Sequence, residues 1–352
     1  HAIGIAQGYA KITDTAMPVA VHSNVGLMHA TMGIFNAWCD RTPMLVIGAT
    51  GPLDAVKRRP WIEWIHTTID QGSLVREYTK WDDQPGSAEA AVESIRRGVL
   101  LANARPSGPV YVCLDAGWQE AELETVPNLD DISKFKVPSD PEPPRAEFDE
   151  ALEILSKAER PFIFCGRVSR SEEGWQDRVR LAELINARTT THMKLPAAFP
   201  SSHPAFVGET GWRLKGPVLN AIQSADAIVM MDWLDGGNAI KLAFPEGAPR
   251  PPVINISNDF NIHNGWNMDY GALPAVDVNI ATVPETTTRR LVEVLEGIKG
   301  SVAKAEPCYP VIGKPGTSGE IGLMDLALAF AAATKDESMC ITGRPLGWPS
   351  NA

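Results

Sequence analysis

Along the first hundred residues, short apolar runs alternate with longer stretches whose apolar residues recur at helical spacing. Ala2 to Lys11 is small and apolar at that spacing and predicts a helix, and Met17 to His22 predicts a short strand. Gly26 to Cys39 reads as an apolar helix and Met44 to Ile47 as a continuously apolar strand. Glu89 to Ala104 then patterns as an amphipathic helix and Pro109 to Leu114 as another buried strand. Strands that are apolar on both faces and separated by helices belong to a parallel sheet covered on both sides.

The rhythm breaks between about Trp118 and Arg145, where Pro, Asp and Glu dominate and the run Pro138-Ser-Asp-Pro-Glu-Pro-Pro-Arg145 occurs. Proline at that density removes backbone donors and disfavours helix, which predicts a semi-rigid linker and a domain boundary. A second α/β series follows. Helices are predicted over Phe148 to Ala158, Glu173 to Ile185 and Gly216 to Ser224, and strands over Pro161 to Cys165, Thr189 to Lys194, Ala227 to Asp232 and Val253 to Ser257. This alternation suggests an open, doubly wound, Rossmann-like sheet. Ser301 to Ser318, with three prolines and two glycines, reads as a second linker. Beyond it a helix from Gly319 to Thr334 and a strand from Ser338 to Thr342 would open a third α/β domain.

Composition bounds the function without naming it. The 352 residues exceed one ordinary core of about 150 residues, and 44% hydrophobic with 21% charged residues is a globular balance. A formal charge of −11 and the lack of a basic stripe argue against a nucleic-acid partner. No run of 18 or more apolar residues occurs, which argues against a membrane span. The five cysteines (Cys39, Cys113, Cys165, Cys308, Cys340) show no CxxC spacing and read as free thiols, with the cytoplasm as the default compartment. The chain starts at His1 inside a helical pattern and stops at Ala352 just after a strand-like run, so both ends read as cuts.

The stretch from Val19 to His29 is the most informative. A buried strand ends at a polar turn containing Gly26 and a helix starts at once, so His22 and Ser23 sit at the carboxyl end of a strand, where open α/β sheets bind ligands. Gly8-Tyr-Ala-Lys11, His22-Ser-x-x-Gly26, Asn36-Ala-Trp38 and Pro43 together resemble the pyrimidine-binding domain of thiamine-diphosphate enzymes. The His-Ser-x-x-Gly version is similar to benzoylformate decarboxylase, whereas acetolactate synthases usually carry Thr-Ser-Gly-Pro-Gly there. The resemblance continues through Ile69-Asp-Gln-Gly72, Thr79-Lys-Trp81 and Gly108-Pro-Val-Tyr-Val112, then through the linker and the second unit. It implies a truncated pyrimidine-binding domain over 1–135, a central domain over 146–300, and the start of a diphosphate-binding domain over 319–352.

The same resemblance implies a 2-oxo acid substrate, thiamine diphosphate with Mg2+, and a homodimer or homotetramer. It implies catalysis by His22, whose imidazole suits proton transfer near neutral pH. On general grounds a histidine at a strand end is more often a hydrogen-bonded structural residue. Ser23, Asn24, Gly26 and His29 would face the cofactor, although His29 stands where the decarboxylase has Asn. Arg344 and Ser350 would lie on the first cofactor-facing loop of the diphosphate domain, or in an ordinary Pro-rich turn. The family's activating glutamate would fall just before His1 and its metal-binding motif after Ala352, so no metal ligand is expected here and the chain as given should be inactive. Trp233 to Asn238 holds no histidine where the decarboxylase has its second one, which counts against benzoylformate. Asp235 or Asn238 would line the pocket, or Asp-Gly-Gly would simply form a turn. Gly166-Arg-Val-Ser-Arg170 lacks GxGxxG, so FAD is not supported. Two alternatives remain: an acetolactate synthase-type transferase joining two 2-oxo acid units, and a non-catalytic protein of the same fold that serves binding or assembly.

Overall fold

A computed structural model of the chain describes residues 1–127, 129–195, 197–210, 214–259, 273–300, 302–308 and 319–337. They fall into two compact units, His1–Pro200 with Ala205–Lys304 and a smaller one built from Ser201–Pro204 and the residues after Lys304.

The first unit holds two sheets, and every strand pairing described in them is parallel. In the first sheet the order is β1-β2-β4-β3, with β1 at Met17–Ala20, β2 at Met44–Thr50, β3 at Asp82–Asp83 and β4 at Pro109–Asp115. Helices α1 (Ala2–Thr13), α2 (Ser23–Cys39) and α4 (Ala88–Asn103) flank it, with the one-turn α3 (Glu63–His66) following β2 and α5 (Ala116–Gln119) following β4. Apolar side chains of α1 and α2 meet β2 and β4 in one core of Ile3, Leu27, Ile34, Met44, Val46 and Tyr111. On the other face Ala102 packs with Leu45, Val110 and Val112. The central strands are therefore apolar on both sides.

The second sheet runs β10-β9-β8-β5-β6-β7. Its strands are β5 (Pro161–Cys165), β6 (Arg188–His192), β7 (Phe206–Thr210), β8 (Ala227–Met231), β9 (Val253–Ile256) and β10 (Val278–Ile280). The chain winds outward from β5 through β6 to β7, returns to β8 on the other side of β5, and winds out again. This makes β5/β8 the switch point of a doubly wound sheet. Helices α6 (Arg145–Lys157), α7 (Glu172–Leu184) and α10 (Pro284–Lys299) pack on one face over Ile163, Val229 and Ile254. Helices α8 (Gly216–Gln223) and α9 (Gly236–Ala243) cover the other over Phe162, Phe164 and Ile228.

Parallel sheets flanked by helices are what the apolar runs predict. Three strands and four helices go beyond them: β3 is only two residues long, β7 and β10 are short and carry polar residues, α3 and α5 are single turns, and α9 and α10 follow Asp235 and Val283. Asp235-Gly-Gly is more than a turn, because Asp235 adopts a left-handed φ of 54° and α9 begins at Gly236. Helix α2 turns Leu27, Ala30, Ile34 and Ala37 towards the sheet and leaves Val25, Met28 and Met32 exposed in the single chain.

In the second unit α11 covers Leu323–Thr334, and Asp325 accepts the Gly322 backbone N–H at 3.0 Å to cap its first turn. The strand expected over Ser338 to Thr342, together with Arg344 and Ser350, lies outside the described residues.

Candidate active site

The chain leaves the first sheet where the Val21 N–H donates to the Ile47 carbonyl at 2.8 Å, and α2 starts two residues later with His22 as its N-cap. The turn is tight. Ser23 is held at φ 51°, and the Gly26 N–H reaches back to the His22 carbonyl at 2.6 Å. A Cβ on Gly26 would stand 3.1 Å from the Val21 carbonyl carbon, closer than side chains comfortably allow, which accounts for the glycine. The Asn24 side-chain oxygen accepts the Val25 N–H at 3.0 Å. The buried Ser23 hydroxyl donates to the His66 carbonyl at 2.8 Å and so fastens α3 to the start of α2.

That contact brings two histidines together. His22 Nε2 and His66 Nε2 lie 3.2 Å apart with their rings edge to face, and His66 Nδ1 donates to the Ile62 carbonyl at 3.1 Å. His22 is exposed and His66 half-buried. His29 is exposed further along α2, and among the described residues no hydrogen bond joins it to the pair. Of the residues proposed from the sequence, His22, Ser23, Asn24 and Gly26 thus form one cluster and His29 stands apart. His66 was not legible as part of it, because nothing in Glu63-Trp-Ile-His66 signals that its ring meets one 44 positions earlier.

Other matching pieces hold the sheet together. Gln71 is buried, donates to the Ala49 carbonyl at 2.7 Å, and accepts the Tyr111 hydroxyl at 3.1 Å, which ties the loop after α3 to β2 and β4. Lys80 donates to the Ala104 carbonyl at 2.6 Å, and burial together with Arg41 and Arg105 lowers its pKa to about 8.

A second cluster occupies the carboxyl edge of the other sheet at the β5/β8 switch point. Arg167, just past β5, pairs with Asp232 after β8 and with Asp259 after β9, both at 3.1 Å. Arg41, at the end of α2, reaches the same Asp259 at 2.5 Å, and Ser257 donates to Asp232 at 2.5 Å. Gly166 admits this arrangement, since a Cβ there would stand 2.2 Å from the Asp232 carbonyl oxygen. Ion pairs therefore span the crevice in which such sheets bind ligands. A cavity of about 70 Å³ opens beside them, rimmed by Lys11, Arg105, Arg170 and Lys194, and neither His22 nor His66 lines it. Among the described residues no group of three or more His, Cys, Asp or Glu could hold a metal ion.

Two family models match this chain: the thiamine pyrophosphate enzyme N-terminal TPP-binding domain over residues 1–74, and the thiamine pyrophosphate enzyme central domain over residues 148–264. The chain belongs to the thiamine pyrophosphate enzyme family. Within that family it is similar to a probable acetolactate synthase large subunit of Methanocaldococcus jannaschii, 23% identical over 233 residues, 64% of this chain and 37% of that protein. A sulfoacetaldehyde acetyltransferase of Rhodobacter capsulatus is 24% identical over 229 residues, with the same two coverages of 64% and 37%. The chain thus spans well under half the length of these relatives. Among solved structures, benzoylformate decarboxylase from Polynucleobacter necessarius superposes with a TM-score of 0.70 over 92% of this chain and 58% of that one, at 19% identity. The chain thereby shares its fold with that decarboxylase, while its curated relatives include a probable synthase and an acetyltransferase. No helix among the described residues is long and apolar enough to cross a membrane.

Proposed function

We propose that the chain is the pyrimidine-binding and central part of a thiamine-diphosphate-dependent enzyme that acts on a 2-oxo acid. The pyrimidine-binding part runs over 1–135, the central part over 146–300, and a diphosphate-binding part starts at 319. The observation that carries this reading is the pairing of the N-terminal family match with an exposed histidine at the carboxyl edge of its parallel sheet. When bound, thiamine diphosphate supplies a carbon nucleophile and an electron sink for the 2-oxo acid. The turn that the tight packing at Gly26 creates suits a group seated against the strand end, so Ser23, Asn24 and Gly26 would hold the pyrimidine side, with His29 at the rim. His22 would move protons there. Mg2+ would be held by residues outside those described, and a dimer or tetramer would complete the site.

A transferase that joins two 2-oxo acid units is the second reading, supported by the acetolactate synthase relatives and by Trp233–Asn238, which has no histidine. In the full-length enzyme, replacing His22 by Ala is expected to lower turnover by about 10²-fold while the fold survives. Carbon dioxide release and carbon–carbon bond formation should be followed together across a panel of 2-oxo acids. Unchanged rates in His22→Ala would return His22 to a structural role, and the product formed would separate the lyase from the transferase.

A further inference from the structure

The two hydrogen bonds of His66 decide where the hydrogens lie. Its Nδ1 contacts the Ile62 carbonyl oxygen, which carries no hydrogen, so His66 Nδ1 is the protonated nitrogen. A neutral imidazole protonated at Nδ1 has its lone pair on Nε2, so the hydrogen in the 3.2 Å contact between the rings comes from His22. His22 is then an Nε2–H tautomer with its lone pair on Nδ1, and among the described residues that nitrogen has no partner.

We propose that His66 is a positioning residue that fixes the tautomer and ring orientation of His22 and leaves His22 Nδ1 as the proton acceptor of the site. This rests on the reading of His22 as the proton-transferring group. A proton leaving an acidic O–H or N–H of the bound reactants forms an N–H on His22 Nδ1, its bonding pair stays with the atom it left, and the reverse transfer restores the neutral ring. While His22 is protonated, its Nε2–H bond to His66 becomes charge-assisted and stronger. His66 can do this because its own position is fixed. Its backbone carbonyl accepts from Ser23 at 2.8 Å, and Glu63, the first residue of the same helical turn, is buried and paired with Arg59 at 2.7 Å.

Magic-angle-spinning NMR of the sedimented chain with ¹⁵N-labelled histidine reads the tautomers directly, with His22→Gln and His66→Gln assigning the two signals among seven histidines. At alkaline pH, His66 is expected as the Nδ1–H form, His22 as the Nε2–H form, with a nitrogen–nitrogen coupling between them. In His66→Leu the His22 Nε2–H proton should exchange with water several-fold faster, since a bond worth about 1 kcal/mol is lost. His66→Gln, whose carbonyl can accept the same hydrogen, should retain slow exchange. A His66 found as Nε2–H, or a His22 proton unaffected in a folded His66→Leu, would overturn the proposal. If His66→Leu fails to fold, the tautomers of the parent chain still decide. None of these readouts needs turnover, so they fail separately from the His22→Ala kinetics.

Discussion

His192 ends β6 with its ring 5.4 Å from that of Trp233, while its Nδ1 accepts the Lys194 backbone N–H at 3.1 Å. Burial, helped by the nearby Lys194 charge, lowers its pKa from 6.5 to about 4. The unfolded chain therefore takes up the proton first as pH falls. The stability that rests on a neutral ring is complete above pH 6.5 and is lost progressively towards pH 4, up to about 3 kcal/mol. Urea unfolding at pH 7 and pH 4.5 checks this. His192→Gln should lose less stability than the parent between the two, and an equal loss would clear His192 of the effect. The ring is thus suited to remain neutral at physiological pH.

At the scale of elements, the ionic cluster joins the end of α2 to the carboxyl edge of the second sheet. Asp259 accepts from both Arg41 and Arg167, whose side chains are 7% and 6% exposed. Burial alone would raise the Asp259 pKa, but the two guanidinium groups outweigh it and hold the carboxyl below its usual range. Such pairs add little net stability when complete, yet removing one partner leaves a buried charge without compensation. Asp259→Asn is accordingly expected to cost about 3–5 kcal/mol, measured as a shift of the denaturant midpoint at pH 7. The sign with pH is fixed by the depressed carboxyl: its contribution is present above the ordinary aspartate range and is lost as pH falls through the lower folded value. A neutral Asp259→Asn effect would mean that water already screens both arginines.

At the scale of the whole molecule, two apolar stripes are exposed among the described residues. Val25, Met28 and Met32 follow helical spacing on α2, and Ile5, Tyr9 and Ile12 do so on α1, all at least 42% exposed. These helices touch, since a Cβ on Gly33 of α2 would stand 2.8 Å from Ile3 of α1, so the stripes lie on neighbouring elements. Apolar surface of this kind on adjacent helices is suited to association with a second copy of the chain. Sedimentation at micromolar concentration is expected to show dimers or larger species, and the double change Met28→Glu with Met32→Glu should shift them towards monomer. A clean 38.1 kDa monomer of the parent chain would count against the interface.

The hydrophobic pattern was enough to read both parallel sheets, because their central strands are apolar on both faces and leave a continuous run in the chain. The strand end at His22 was legible from a shorter signal, an apolar run in which Val19 is the buried residue of β1, followed at once by a polar turn with Gly26. Elements with weak or mixed patterns, such as the two-residue β3 and the half-polar β7, gain their identity only from the strand beside them. His66 and Asp259 are extreme cases. One meets a ring 44 positions away and the other an arginine 218 positions away. Local spacing carries no trace of such meetings, since they exist only when the sheets and helices have packed and brought distant loops to one edge.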